Sequence, residues 1–131
     1  MYSISDYKQV PFYDGDRGMR GMNCGVLVNH FRRHVLNKPP AYFGEVSKDD
    51  ADAINTAFAL NIHHFKEGVR HGSIACLFKE LRSGDLDLAH VGVLLKLGTG
   101  WRVLHISENN GVRLDKPKVF ERLGKVKYLY D

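Results

Sequence analysis

The hydrophobic period of this chain changes once, and that change restricts the fold more than any other feature. Between Cys24 and Leu36, the residues Val26, Leu27, Phe31, Val35 and Leu36 recur at three- and four-residue intervals, the repeat of one helix face. After Gly72 the repeat becomes two. Leu86–Leu95 begins by alternating, Trp101–Ile106 (WRVLHI) alternates throughout, and Gly98-Thr99-Gly100 between them reads as a hairpin turn. Ser73–Phe78 is a short apolar run, and Val112–Leu114 and Lys125–Tyr130 are further strand candidates. Helices followed by strands imply an α+β fold with an antiparallel sheet. At 131 residues the chain, 1–131, is expected to be a single domain.

Punctuation residues support this division. Residues 11–23 (PFYDGDRGMRGMN) are rich in Gly and Asp and read as a loop, and Asn23 is placed to cap the helix that follows. Asn37 and then Pro39-Pro40 end that helix, giving a predicted span of 24–36. Ser47 predicts a second cap, with Asp49 and Asp50 at the positive end of the helix dipole. Ala51, Ile54, Ala57, Phe58 and Ile62 would form its apolar face, and it would end near Phe65.

Charge and composition exclude several classes. Lys plus Arg is 19 and Asp plus Glu is 15, a net +4, with no basic block longer than Arg32-Arg33. A solvated surface is expected rather than a nucleic-acid stripe. Neither a phosphate-binding GxxxxGK[ST] nor a GxGxxG after a strand occurs. Apolar runs such as Val91–Leu95 are too short to cross a bilayer, and no basic segment followed by an apolar run opens the chain. The expectation is a protein without signal peptide or membrane insertion. Two cysteines exclude a disulfide-stapled miniprotein.

Cys24 is the most informative residue. It follows a Gly-rich loop and opens a helix, where free N–H groups and the dipole favour a thiolate and could hold an oxyanion. A buried structural thiol is the equal alternative. A thiol nucleophile needs a base, and the base needs an orienting group. His90 and His105 lie on consecutive predicted strands and can point to one face, His90 as base and His105 as orienting group; two satisfied histidines on a half-buried sheet are the plainer reading. His30 and His34 have i,i+4 spacing but no placed third ligand, so a solvated helix face is expected, with no metal. His63, His64 and His71 would lie at a helix end, and Cys76 reads as an inert core thiol.

Taken together, these residues resemble the NlpC-like family of papain-fold cell-wall cysteine peptidases, with most likeness to its small phage tail-associated branch. The matching text is Pro11-Phe12, Gly15-Asp16-Arg17, Asn23-Cys24-Gly25-Val26-Leu27-Val28, Gly72–Phe78, His90-Val91-Gly92-Val93 and Val103-Leu104-His105. Gly111-Val112 and the VLNKPPAYFG stretch at 35–44 also fit. The resemblance implies a papain-like fold and a peptidoglycan endopeptidase without metal or cofactor, cleaving stem peptides through a thioester. It implies Cys24 as nucleophile, His90 as base, His105 as third member and the Cys24 backbone N–H as oxyanion donor. Phe12, Tyr13 and Asn23 are the implied substrate-binding positions. A place in the virion, or in host cytoplasm before assembly, and contacts with tail-tip or hub proteins follow from the same likeness. Three positions depart from the family pattern: Asn23 and Ser73 stand where it has Asp, and Gly25 follows the cysteine directly. An inactive structural tail component, a binding module for wall or nucleic acid, and an amidase or acyltransferase with the same triad are the competing readings.

Overall fold

The computed structural model describes residues 2–41 and 64–131. A 3-10 turn at Gly18–Arg20, three α-helices and six strands are present among them. These are α1 (Ile4–Lys8), α2 (Cys24–His34), β1 (Lys66–Glu67), β2 (Ile74–Glu80), β3 (Leu86–Leu97), β4 (Gly100–Ser107), β5 (Gly111–Asp115), α3 (Pro117–Glu121) and β6 (Lys125–Tyr130). The helix predicted from Ser47 to near Phe65 falls almost wholly outside the described residues.

The strands form one antiparallel sheet of order β1-β6-β2-β3-β4-β5, with α2 packed on it, so the α+β expectation holds. Neighbours from β2 to β5 are consecutive in sequence. β6 instead inserts between β1 and β2.

Alternation along the strands builds two apolar layers. Val91, Val93, Leu95, Leu104 and Ile106 join Val26, Leu27, Val28 and Phe31 of α2 in the main core. The opposite face carries a smaller cluster of Ala75, Leu77, Leu94 and Val103 around Phe120 of α3. Each fully buried side chain of this size contributes roughly 1.5–3 kcal/mol. α1 is held by a reciprocal capping box between Ser3 and Asp6, and its Tyr7 is fully buried. α3 begins with Pro117, which tolerates the first helical turn because its missing N–H has no helical partner there.

α2 starts at the predicted residue and stops two residues short of the predicted end. Val35 is its C-cap, and Asn37 then turns the chain through a left-handed conformation (φ 57°) ahead of Pro39. One charged group sits inside this packing. Arg32, 1 % exposed, binds Asp131 at 2.6 Å and the Pro39 carbonyl at 2.9 Å, fixing the end of β6 against α2. No helix among the described residues is long and apolar enough to cross a membrane.

Candidate functional site

The loop before α2 is folded tightly enough to fix the helix start. Tyr13 N–H donates to Met22 O, Arg17 N–H to Gly21 O and Asn23 N–H to Gly15 O. Gly15 and Gly21 close around the Tyr13 ring, where an added Cβ at either would stand 2.7 or 2.8 Å from a Tyr13 carbon. Arg17 lies over the same ring, 3.8 Å from its centroid. Phe12 bridges Met22 and packs against the main core. Asn23 is buried and uses both ends of its amide. Its Oδ1 accepts from Val26 N–H at 3.0 Å, the expected cap, and its Nδ2 donates to Asp14 Oδ1 at 3.2 Å.

Cys24 follows, its side chain packed on the edge of the main core. Burial pushes its thiol upward; the backbone amides of Val91, Gly25 and Cys24 itself face the sulfur and pull the other way without cancelling that effect. The thiol is therefore protonated at neutral pH. The Val91 amide matters for position. It belongs to β3, so the sulfur of α2 meets the sheet at the residue directly after His90.

β3 carries a bulge at this point. Leu77 of β2 faces His90 while Phe78 faces Leu88, which leaves Ala89 as the extra residue. Val91 turns to the α2 side, and His90 turns to the α3 side, its ring 5.8 Å from that of Phe120. His105 lies on the same side, 5.1 Å from Phe120. The two imidazoles meet: His90 Nε2 and His105 Nδ1 are 2.9 Å apart, with the rings near perpendicular at 78°. Cys24 makes no hydrogen bond to either ring among the described residues; its link to this strand is the Val91 amide.

A residue absent from the sequence reading completes the line. His105 Nε2 donates to Asp115 Oδ2 at 2.8 Å, and the other carboxylate oxygen forms an ion pair with Arg113 at 3.2 Å. Asp115 pairs with Val103 on β4, two residues from His105, so the contact is a diagonal cross-strand pair. The signal was present as the alternation of Arg113 and Asp115 after the turn at 108–110, but it needed the β4–β5 register to become readable.

Burial governs the ring electrostatics. It lowers His90 to about 4, with the His105 charge adding to the effect. Burial also lowers His105, against the opposing pull of Asp115. Both rings are neutral at pH 7. They border a cleft of about 430 Å³ shared with Leu77, Arg113, Asp115 and Leu123.

The remaining sequence candidates go elsewhere. Tyr7 and His30 Nδ1 are hydrogen-bonded at 2.7 Å, so His30 is a half-buried partner of α1 rather than part of an open helix face; His34 is exposed. No group of three or more metal-ligating residues occurs among the described residues. His71 stands in the turn before β2, not at a helix end, and accepts from Lys96 N–H at 2.9 Å. His63 lies outside the described residues. Cys76 is fully buried in β2, its thiol pushed up to about 12 by burial. Ser73, at another family-departure position, accepts from Arg70 N–H and donates to Gly68 O, closing the turn into β2. No family model matches the chain, and no curated protein matches it.

Proposed function

We propose that this chain is a papain-like cysteine hydrolase of the NlpC type, acting on peptidoglycan stem peptides through Cys24, His90 and His105. The observation that supports the chemistry is the His90–His105 pair, His90 lying on the strand that Cys24 meets, one residue from the Val91 amide that faces its sulfur. His105 holds Nε2 of His90, so the remaining ring nitrogen, Nδ1, is the one available to a thiol. That nitrogen is the one nearer its own backbone, and the next amide along faces the Cys24 sulfur. The substrate class rests on the sequence resemblance.

With the thiol raised and the imidazole lowered, the resting pair is neutral. The proton moves as attack occurs: His90 takes it from Cys24 while the sulfur bonds to the scissile carbonyl carbon. His90 then gives that proton to the leaving amine, the C–N bond breaks and a thioester remains. Water, deprotonated by His90, attacks the thioester; the C–S bond breaks, the acid product leaves and the thiol is restored. The N–H groups at the start of α2 are the donors available to the oxyanion. The mildly basic surface suits an anionic wall.

The test is digestion of purified peptidoglycan by the wild-type protein and by Cys24→Ala, with fragments read by mass spectrometry. Stem-peptide fragments with the wild type alone establish the hydrolase. A second reading, a structural tail component that keeps the fold, is favoured by the desolvation of the Cys24 thiol and by the absence, among the described residues, of a hydrogen bond from it to an imidazole. It predicts no fragments from either protein across several wall types under reducing conditions, and alkylation of Cys24 no faster than that of a free thiol.

A further inference from the structure

We infer that Asp115 is a positioning residue that acts through His105 to set the tautomer of His90, leaving Nδ1 of His90 as a bare lone pair. The inference rests on the proposed role of His90 for its functional meaning, but its geometry stands apart from that role.

Donors and acceptors are fixed in turn along one line of hydrogen bonds. Arg113 forms an ion pair with Asp115 Oδ1 at 3.2 Å, leaving Oδ2 to His105. An ionised carboxylate offers only acceptors, so Oδ2 must receive a proton from His105 Nε2, 2.8 Å away. A neutral imidazole carries one N–H. With Nε2 protonated, His105 Nδ1 is an acceptor and must receive from His90 Nε2, 2.9 Å away. His90 has then spent its single proton on Nε2, and Nδ1 is unprotonated. No other arrangement of protons satisfies both short contacts while both rings are neutral and Asp115 is ionised. The carboxylate thus fixes the protonation pattern of a ring it does not touch.

The fold makes this line rigid. Its three members come from three adjacent strands, β3, β4 and β5, and Phe120 packs on both rings. His105 is 5 % exposed, so water does not compete strongly for its nitrogens. A further consequence concerns acid. A protonated His105 donates from both nitrogens, which forces His90 Nε2 to accept and moves its proton to Nδ1. Protonating the distant ring alone therefore removes the lone pair that would take the thiol proton. The charged groups facing His105 are Asp115, which favours that protonation, and Arg113, which opposes it; His90 is the titratable group on the other side.

The experiment is long-range ¹H–¹⁵N correlation spectroscopy of the full chain at neutral pH, reading both rings in wild type, Asp115→Ala and Asp115→Asn. Asp115→Asn preserves side-chain volume, and its amide can either donate to or accept from His105, so it removes the constraint with little effect on packing. The expected result is one tautomer in the wild type, with Nε2–H on both rings. In the variants both rings lose that single pattern, His90 changing along with His105. A wild-type His90 carrying its proton on Nδ1 would overturn the inference, as would folded variants with both tautomers unchanged. Alkylation of Cys24 by iodoacetamide separates the two proposals. An even tautomer mixture halves the competent population, so the rate falls about twofold or more. A changed tautomer with an unchanged alkylation rate supports the positioning role and counts against His90 as the base for Cys24.

Discussion

Gly92 is the position where the smallest change has the most to displace. It lies in β3 between Val91, whose amide faces Cys24, and Val93, which pairs with Leu104. Its need for glycine is spatial. A Cβ added there would stand 2.8 Å from the Leu104 carbonyl oxygen, 2.8 Å from Val103 Cγ1 and 3.0 Å from His105 Cβ. The first of these is backbone and cannot rotate away, so β3 and β4 must separate locally. Overpacking of this kind costs about 1–3 kcal/mol. Unfolding entropy of about 2.1 cal/mol/K per residue over 131 residues is about 0.28 kcal/mol/K. Gly92→Ala should therefore lower Tm by roughly 4–11 °C. Gly98→Ala is the matched control: an added Cβ there meets nothing within 4 Å, and Tm should stay within about 2 °C. Thermal melts followed by circular dichroism measure both. Equal Tm values for the two variants would refute the argument from crowding. His105 is one of the two side chains in the way, with Val103, so Gly92→Ala should also disturb the ring-nitrogen signals of both histidines, whereas Gly98→Ala should not.

Other outcomes follow from the same geometry. Asn23→Ala removes the cap of α2 and should cost about 1 kcal/mol in denaturant unfolding; Asn23→Asp keeps the cap but sets a second carboxylate 3.2 Å from Asp14, so it should be less stable than wild type above pH 5. Asp131→Ala leaves the Arg32 guanidinium buried without its carboxylate and should cost about 3 kcal/mol, the lower part of the range because Asp131 is 26 % exposed. For Asp131 itself, burial raises its carboxyl, but the bonds from Arg32 and Lys38 outweigh this and hold it below 3.8. Its stabilisation is thus present above pH 3.8 and lost as pH falls through the lower folded value, so wild type and Asp131→Ala should converge only in strong acid. His90 behaves in a different window: lowered from 6.5 to about 4, it is protonated first in the unfolded chain. Its contribution is complete above pH 6.5 and falls by about 3 kcal/mol on acidification to pH 4, and His90→Gln should show a shallower decline in pH-dependent melts.

Local chemistry determined which parts of this structure were readable from the residues. The start of α2 at Cys24, the turn between β3 and β4, and the convergence of His90 and His105 on one face all follow from caps, turn residues and period-two alternation. Asp115 escaped because a diagonal neighbour depends on register, which the turn at 108–110 sets but does not announce. α3 escaped because five residues give no period, although Pro117 marks its first turn and Phe120 supplies the wall behind both rings. What alternation alone does not predict is the bulge at Ala89, which keeps Leu88 on the core side with Val91 while His90 stays on the Phe120 side. Two of the departures from the family pattern now have physical reasons. Asn23 and Ser73 each donate as well as accept in their surroundings, to Asp14 and to the Gly68 carbonyl, and an ionised aspartate could not.

The sheet order also dictates when parts of the protein can exist during synthesis. β2 through β5 are neighbours in sequence as well as in space, so this meander, with the whole His90–His105–Asp115 line, can assemble from short-range closures. β6 emerges after all of it, yet its place is between β1 and β2. Until Lys125–Tyr130 arrives, β2 presents an open edge whose core-forming stretch, Ile74 to Phe78, is apolar throughout, and Arg32 has not met Asp131. An open apolar edge is the kind of surface that recruits strands from other chains. The nascent protein thus passes through an interval in which its catalytic candidates are in place and its sheet is adhesive. Slow decoding of the last strand would lengthen that interval, and synonymous changes confined to it would alter the soluble yield without altering a single contact of the finished fold.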